Sequence, residues 1–132
     1  MKKVFFAIAL SVSSVFPVNA YATSLGEAEI SALHASMVQH IDRQVIEGLY
    51  WQVDLKSGIV SKFSPAKSHP MVLTMGDNFV LCTDFKDTSG KPTNVDFYVA
   101  RRGKGFAVFH TEIGNRGPLM KLMQEGKAAS IN

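Results

Sequence analysis

Between Phe79 and Ala100 the chain alternates apolar and polar positions with a two-residue period on both sides of a turn, and no other stretch restricts the fold as much. Phe79-Val80-Leu81-Cys82-Thr83-Asp84-Phe85 and Asn94-Val95-Asp96-Phe97-Tyr98-Val99-Ala100 flank the loop Asp87 to Pro92, whose Gly90 can take a positive φ. A turn centred near Ser89 puts Phe79, Leu81, Phe85, Val95, Phe97 and Val99 on one face of a hairpin, and that face is core. The opposite face receives Val80, Cys82, Asp84, Asn94, Asp96, Tyr98 and Ala100. Its mixture of carboxylates, phenol, amide and thiol reads as a partly solvated outer surface, the ordinary condition of an antiparallel sheet. A sharper reading makes it a pocket in which Asp84, Asp96 and Tyr98 orient a small ligand. The two carboxylates could also pair as acid and base, but two such groups on one sheet are a common coincidence, and no catalytic residue is assigned.

A hairpin with one apolar face needs a partner layer, and the preceding segment supplies it. Ser24-Leu25-Gly26-Glu27 has the form of a capping box, in which serine and glutamate satisfy each other's backbone N–H. Ile30, Leu33, Met37, Ile41 and Val45 then recur every three or four residues, and Gly48 stands where a left-handed cap would end the helix. These signals predict a long amphipathic helix over about 25–47. Further strands are expected over Leu49–Leu55, Ile59–Phe63, Met71–Met75 and Phe106–Ile113, joined by short loops. Pro118 then opens a short helix carrying Leu119, Leu122 and Met123 and ending at Gly126, with Lys127 to Asn132 frayed. The expected class is α+β: a long N-terminal amphipathic helix packed on a five- to six-stranded antiparallel meander sheet, with a short C-terminal helix.

The first 22 residues do not belong to this pattern. Lys2 and Lys3, the apolar run Val4 to Val18, and Ala20-Tyr21-Ala22 make a cleavable export signal. As a membrane span the run is short of the ~20 residues required, and Ser11, Ser13, Ser14 and Pro17 weaken it. Residues 23–132 are then a single periplasmic or secreted domain with no span of its own. Two of the 14 basic residues leave with the leader, so 12 face 11 acidic ones, without the basic cluster that nucleic acid or anionic lipid would attract. Cys82 is the only cysteine, so no intramolecular disulfide is possible, and its mid-strand place among apolar neighbours reads as buried and inert.

Other candidates are weaker. His34, His40, His69 and His110 with Met37, Met71 and Met75 invite a copper or zinc reading, but no histidine pair has the four-residue spacing of a strong helical site, and no metal ligand is assigned. A Cys82–His110 nucleophilic couple lacks a flanking motif. Trp51 reads as an anchor between helix and sheet with its indole N–H on a backbone carbonyl, and the loop with Pro65, Lys67, His69 and Pro70 as an exposed place for binding residues.

The run Phe79 to Ile113, with its turn Asp87-Thr88-Ser89-Gly90-Lys91 and its strand Val95-Asp96-Phe97-Tyr98-Val99, resembles the closing strands of PAS-like extracytoplasmic Cache sensor domains. It departs from them in lacking the helices that normally lie between early and late strands and any following transmembrane or signalling module. The resemblance implies small-molecule binding on the sheet face. The expectation is therefore an exported, non-enzymatic small-ligand-binding or sensor-type accessory domain that needs no cofactor, whose partner is a small molecule or an exported protein. The alternative is an interaction or assembly factor that pairs through an edge strand or a helix, and a copper or zinc carrier is the third reading.

Overall fold

The computed structural model describes residues 24–66 and 71–131. The leader, and Lys67, His69 and Pro70 of the proline-bounded loop, lie outside the described residues.

The first described element is α1 (Glu27–Gln44), which buries Leu33, Met37 and Ile41 as its three- and four-residue spacing requires. Both of its ends differ from the expectation. Gly26 is the N-cap and no side chain caps the helix, so the Ser24–Glu27 box does not form. At the other end the helix stops before the β-branched pair Val45-Ile46, which becomes strand β1 (Val45–Ile46) and pairs with β2 (Leu49–Val53). Gly48, at φ +81°, and Glu47, at φ +51°, form the two-residue turn between these strands, so the left-handed glycine closes a hairpin and caps no helix.

The remaining strands are β3 (Val60–Pro65), β4 (Met71–Met75), β5 (Asn78–Lys86), β6 (Pro92–Arg102) and β7 (Gly105–Ile113). After α2 (Gly117–Gln124) comes β8 (Ala129–Ser130). The protein is mixed α+β with an antiparallel sheet, but among the described residues the sheet has eight strands where five or six are expected. β1 and β8 are two residues each, too short for any period to reveal. The described part of the tail is not frayed: Ala129 and Ser130 pair with Thr74 and Leu73, and Ala128 is buried.

β5 is the centre of the sheet. β6 occupies one of its edges, and β3 and β4 lie end to end along the other, Ser64 and Pro65 opposite Lys86 and Phe85, then Met71 to Met75 opposite Cys82 to Asn78. The β5–β6 register is the one the alternation demands, with Val80 opposite Tyr98, Cys82 opposite Asp96 and Asp84 opposite Asn94. β7 follows on β6 with a bulge at Phe109, where Tyr98 faces His110 but Val99 faces Val108.

Two cores result. The larger lies between α1 and the sheet and joins Leu33, Met37 and Ile41 to Tyr50, Phe63, Val72, Phe79, Leu81, Phe85, Val95, Phe97 and Val99. The smaller lies on the opposite face, where Leu119 of α2 and Ala128 pack on Leu73, Val80, Cys82 and Tyr98.

Candidate functional site

The face with the mixed polar residues is divided in two by α2. Val80, Cys82, Asp96 and Tyr98 lie beneath it and are buried, which overturns the reading of this part as a solvated outer surface. Asp84, one step toward the end of β5, is exposed. The three expected ligand-binding residues therefore do not share a pocket: Asp96 and Tyr98 are covered, and Asp84 stands beyond the cover.

Asp96 is the polar centre of the covered half. Only 1% of it is exposed, and its Oδ1 accepts a 2.9 Å hydrogen bond from Nη2 of Arg116, which precedes α2. The guanidinium neutralises a carboxylate that could not be buried charged on its own. Its Nε is also shielded from solvent but has no hydrogen-bond partner. The Cys82 thiol is pushed up to about 12, first by burial and then by the negative charge and hydrogen bond of Asp96, against a smaller opposing pull from Arg116. A thiol so disposed is a poor nucleophile. Burial also raises the Tyr98 phenol, with Asp96, Glu112 and Cys82 adding to the shift.

The bulge turns Phe109 and His110 toward this same face, with ring centroids 6.5 and 5.4 Å from Tyr98. The His110 Nε2 is paired with Glu112 at 2.9 Å, and Glu112 also accepts from Asn115 Nδ2 at 3.3 Å. Cys82 is thus partnered with Asp96 and His110 with Glu112, and no nucleophilic couple joins the two. On α1, Met37 is core, and His40 reaches the Tyr50 hydroxyl at 3.3 Å with its pKa lowered by burial and then by the charge of Arg43. Among the described residues no three histidine, cysteine, aspartate or glutamate side chains gather where a metal ion could be held.

The second notable region is the β2–β3 arm. Tyr50 and Phe63 point into the α1 core, so their neighbours Trp51, Val53, Val60 and Lys62 must point to the other face. Trp51 is therefore no anchor beneath the helix. Its indole N–H does donate to a carbonyl, that of Ile46 at 3.3 Å, but the ring lies outside with the Lys62 ammonium 4.0 Å from its centroid. Tyr50 makes the helix-to-sheet contact instead. Val53 and Val60 are opposite one another and about half exposed, and Leu55 at the tip is 91% exposed with Ile59 beside it. The tip is held by Asp54, whose carboxylate accepts from Lys56 N–H at 2.8 Å and from Ser57 Oγ at 2.9 Å.

One edge of the arm is open. Among the described residues β3 pairs with β5 only at Ser64 and Pro65, and from Val60 to Phe63 that edge borders a groove of about 410 Å³ lined also by Asp87, Thr88 and Thr93. The Asp54 N–H donates to the Ile59 carbonyl at 2.9 Å, which sets the phase of the ladder. Hydrogen-bonded pairs recur every second residue, so Ser61 and Phe63 turn their main-chain groups to β2, and Val60 and Lys62 turn theirs to the groove. The apolar arm residues were visible in the sequence as ordinary strand residues. Their exposure was not, because it depends on what packs over that face, and α2 lies over Leu73, Val80, Cys82 and Tyr98 instead of over the arm.

No protein-family model matches this chain, and no curated protein and no solved structure matches it either, so a functional reading rests on its own residues.

Proposed function

We propose that this chain is an exported, non-enzymatic interaction domain that takes up an extended segment of another exported protein along the open edge of its β2–β3 arm. The observation that carries the reading is the coincidence of unpaired strand edge and exposed apolar side chains in one hairpin. Val60 and Lys62 offer N–H and C=O groups to an added strand, and Val53, Leu55, Ile59 and Val60 offer apolar surface that a lone domain gains nothing by exposing. Scattered exposed hydrophobics are normal on any protein surface, whereas clustering beside a free edge is the mark of a contact site. Asp54 and Ser57 fix the tip, so the arm is ordered before any partner arrives.

The small-ligand reading, which the Cache-like likeness of residues 79–113 favours, places its ligand on the face that α2 covers. There Arg116 already occupies the Asp96 carboxylate, and Leu119 fills the apolar space over Val80 and Cys82. It requires α2 to move, whereas the arm is available as it stands.

Site-specific photocrosslinking in cells tests the reading. A crosslinker at Leu55 should yield a defined adduct with one exported protein, and Val60→Lys should abolish that adduct without changing the melting temperature. A crosslinker at Gln39, on the exposed side of α1, should yield none. Equal adducts from both positions, or an adduct unaffected by Val60→Lys, would overturn it.

A further inference from the structure

The segment from Gly114 to Ile131 is attached to the rest of the molecule by few and separable contacts. α2 buries one side chain completely enough to count as core, Leu119 at 2% exposure, with Ala128 behind it. β8 adds two residue pairs at the edge of β4, the Thr74 hydroxyl donates to the Ala129 carbonyl at 3.3 Å, the Ile131 N–H reaches the Val72 carbonyl at 3.4 Å, and the partly buried Ile131 side chain touches the rim of the larger core. Among the described residues Arg116 provides the ion pair, to Asp96, and Asn115 Nδ2 adds a 3.3 Å hydrogen bond to Glu112 of β7. Gly114 and Gly126 bound the helix at φ +68° and +69°, a conformation in which other residues are strained and the chain can reverse direction. The Gly114 N–H is pinned to the Asn94 carbonyl at 2.8 Å, so any movement begins after it.

Closing this segment brings costs of its own. It takes the Asp96 carboxylate and much of the Arg116 guanidinium out of water and leaves Arg116 Nε without a partner. A buried pair repays its desolvation only when its hydrogen bonding is complete, and here it is not. The α1 side has a polar orphan too, the shielded Nε2 of His34, but it buries no carboxylate or guanidinium: its large buried cluster is apolar, with Tyr50 bonded to His40. Regions with little buried apolar surface open at a fraction of the global unfolding free energy.

From this geometry we infer that α2 with its flanking segments is a lid, latched by Arg116 on Asp96, that opens while the β5–β6–β7 sheet and α1 stay folded. Opening uncovers Val80, Cys82, Asp96 and Tyr98 together, an apolar floor with one carboxylate and one phenol. The same opening hydrates Asp96, so loss of the latch frees the lid without leaving a charge stranded in the core.

Cys82 is the sole cysteine of the chain and lies under the lid, which makes its thiol the reporter. Thiol labelling of the folded protein is followed through the sub-denaturing range of urea. In the wild type the labelling rate should be nearly flat in urea until global unfolding takes over, because opening the lid exposes little surface. Arg116→Ala and Leu119→Ala should each raise the flat part by about tenfold or more, while Leu33→Ala, in the opposite core, should move only the steep part. If Arg116→Ala does not fold, the wild-type urea profile and Leu119→Ala decide the matter. A wild-type rate that falls on the global unfolding line at every urea concentration overturns the inference. So does a rate that Arg116→Ala and Leu33→Ala raise in proportion to their loss of global stability.

Discussion

The two helices cover opposite faces of one sheet, and they hold to it by different physics. α1 contributes a stripe of three buried apolar residues to a core of aromatic and aliphatic side chains, and its ion pair to the sheet, Glu29 with Arg101 at 2.9 Å, is exposed. α2 contributes Leu119 and hands the sheet an arginine for a carboxylate it cannot otherwise bury. Apolar burial accumulates with area, whereas a buried ion pair is the small difference of two large terms. The same sheet therefore carries a permanent layer on one side and a conditional one on the other.

The largest effect that tests this contrast is one substitution made twice. Leu33→Ala should cost about 2 to 5 kcal/mol of unfolding free energy, the usual range for a core leucine, as read from urea titration. Leu119→Ala removes the same atoms from an equally dry place but should cost less, roughly 1 to 2 kcal/mol, because a lid that opens on its own limits what its contacts add to global stability. Equal losses at the two positions would erase the distinction between the layers.

A smaller effect comes from pH and belongs to the α1 side. Burial disfavours the His40 imidazolium, so its folded pKa lies below the ordinary value of 6.5. As pH falls through that ordinary value the unfolded chain takes up a proton before the folded one does, and stability declines until the folded pKa is also passed. His40→Gln should flatten the fall in melting temperature that wild type shows on acidification below neutrality, and an unchanged slope would mean the group does not contribute. The depressed carboxyls of Glu29, held first by its bond to Arg101, and of Asp54 and Asp87, held first by their turn hydrogen bonds, act in a separate window: their stabilisation is lost only as pH falls below the ordinary carboxylate range.

The smallest expected effect is the most direct check on how α1 is held. With Gly26 as N-cap and no side chain bonded there, Ser24→Ala should change stability by less than about 0.5 kcal/mol in the same titration. A loss of about 1 kcal/mol, the typical worth of a serine cap, would show that the box forms in solution and that the helix end, as well as its face, holds it in place.

Local pattern was sufficient for the secondary structure of the centre and for its register. The parity of Phe79 to Phe85 against Val95 to Val99 fixes which side chains share a face, and a turn centred near Ser89 selects, among the registers of that parity, the one found. The helix stripe was legible for the same reason, since periodicity is a property of neighbours in sequence. What covers a face is not such a property. Nothing between Gly114 and Gly126 signals that Arg116 lies against Asp96, twenty residues away, or that Leu119 closes over Cys82, because those contacts follow from where the chain returns after β7. The arm is the converse case. Its residues read as strand, and they are strand, but whether Val53 and Val60 are core or contact surface was decided by what packs over their face, and α2 lies instead over Leu73, Val80, Cys82 and Tyr98. Alternation tells which side chains share a side. Only the packing of distant segments decides which side is dry, and the polar half of this sheet became dry because a short helix with one arginine lay down on it.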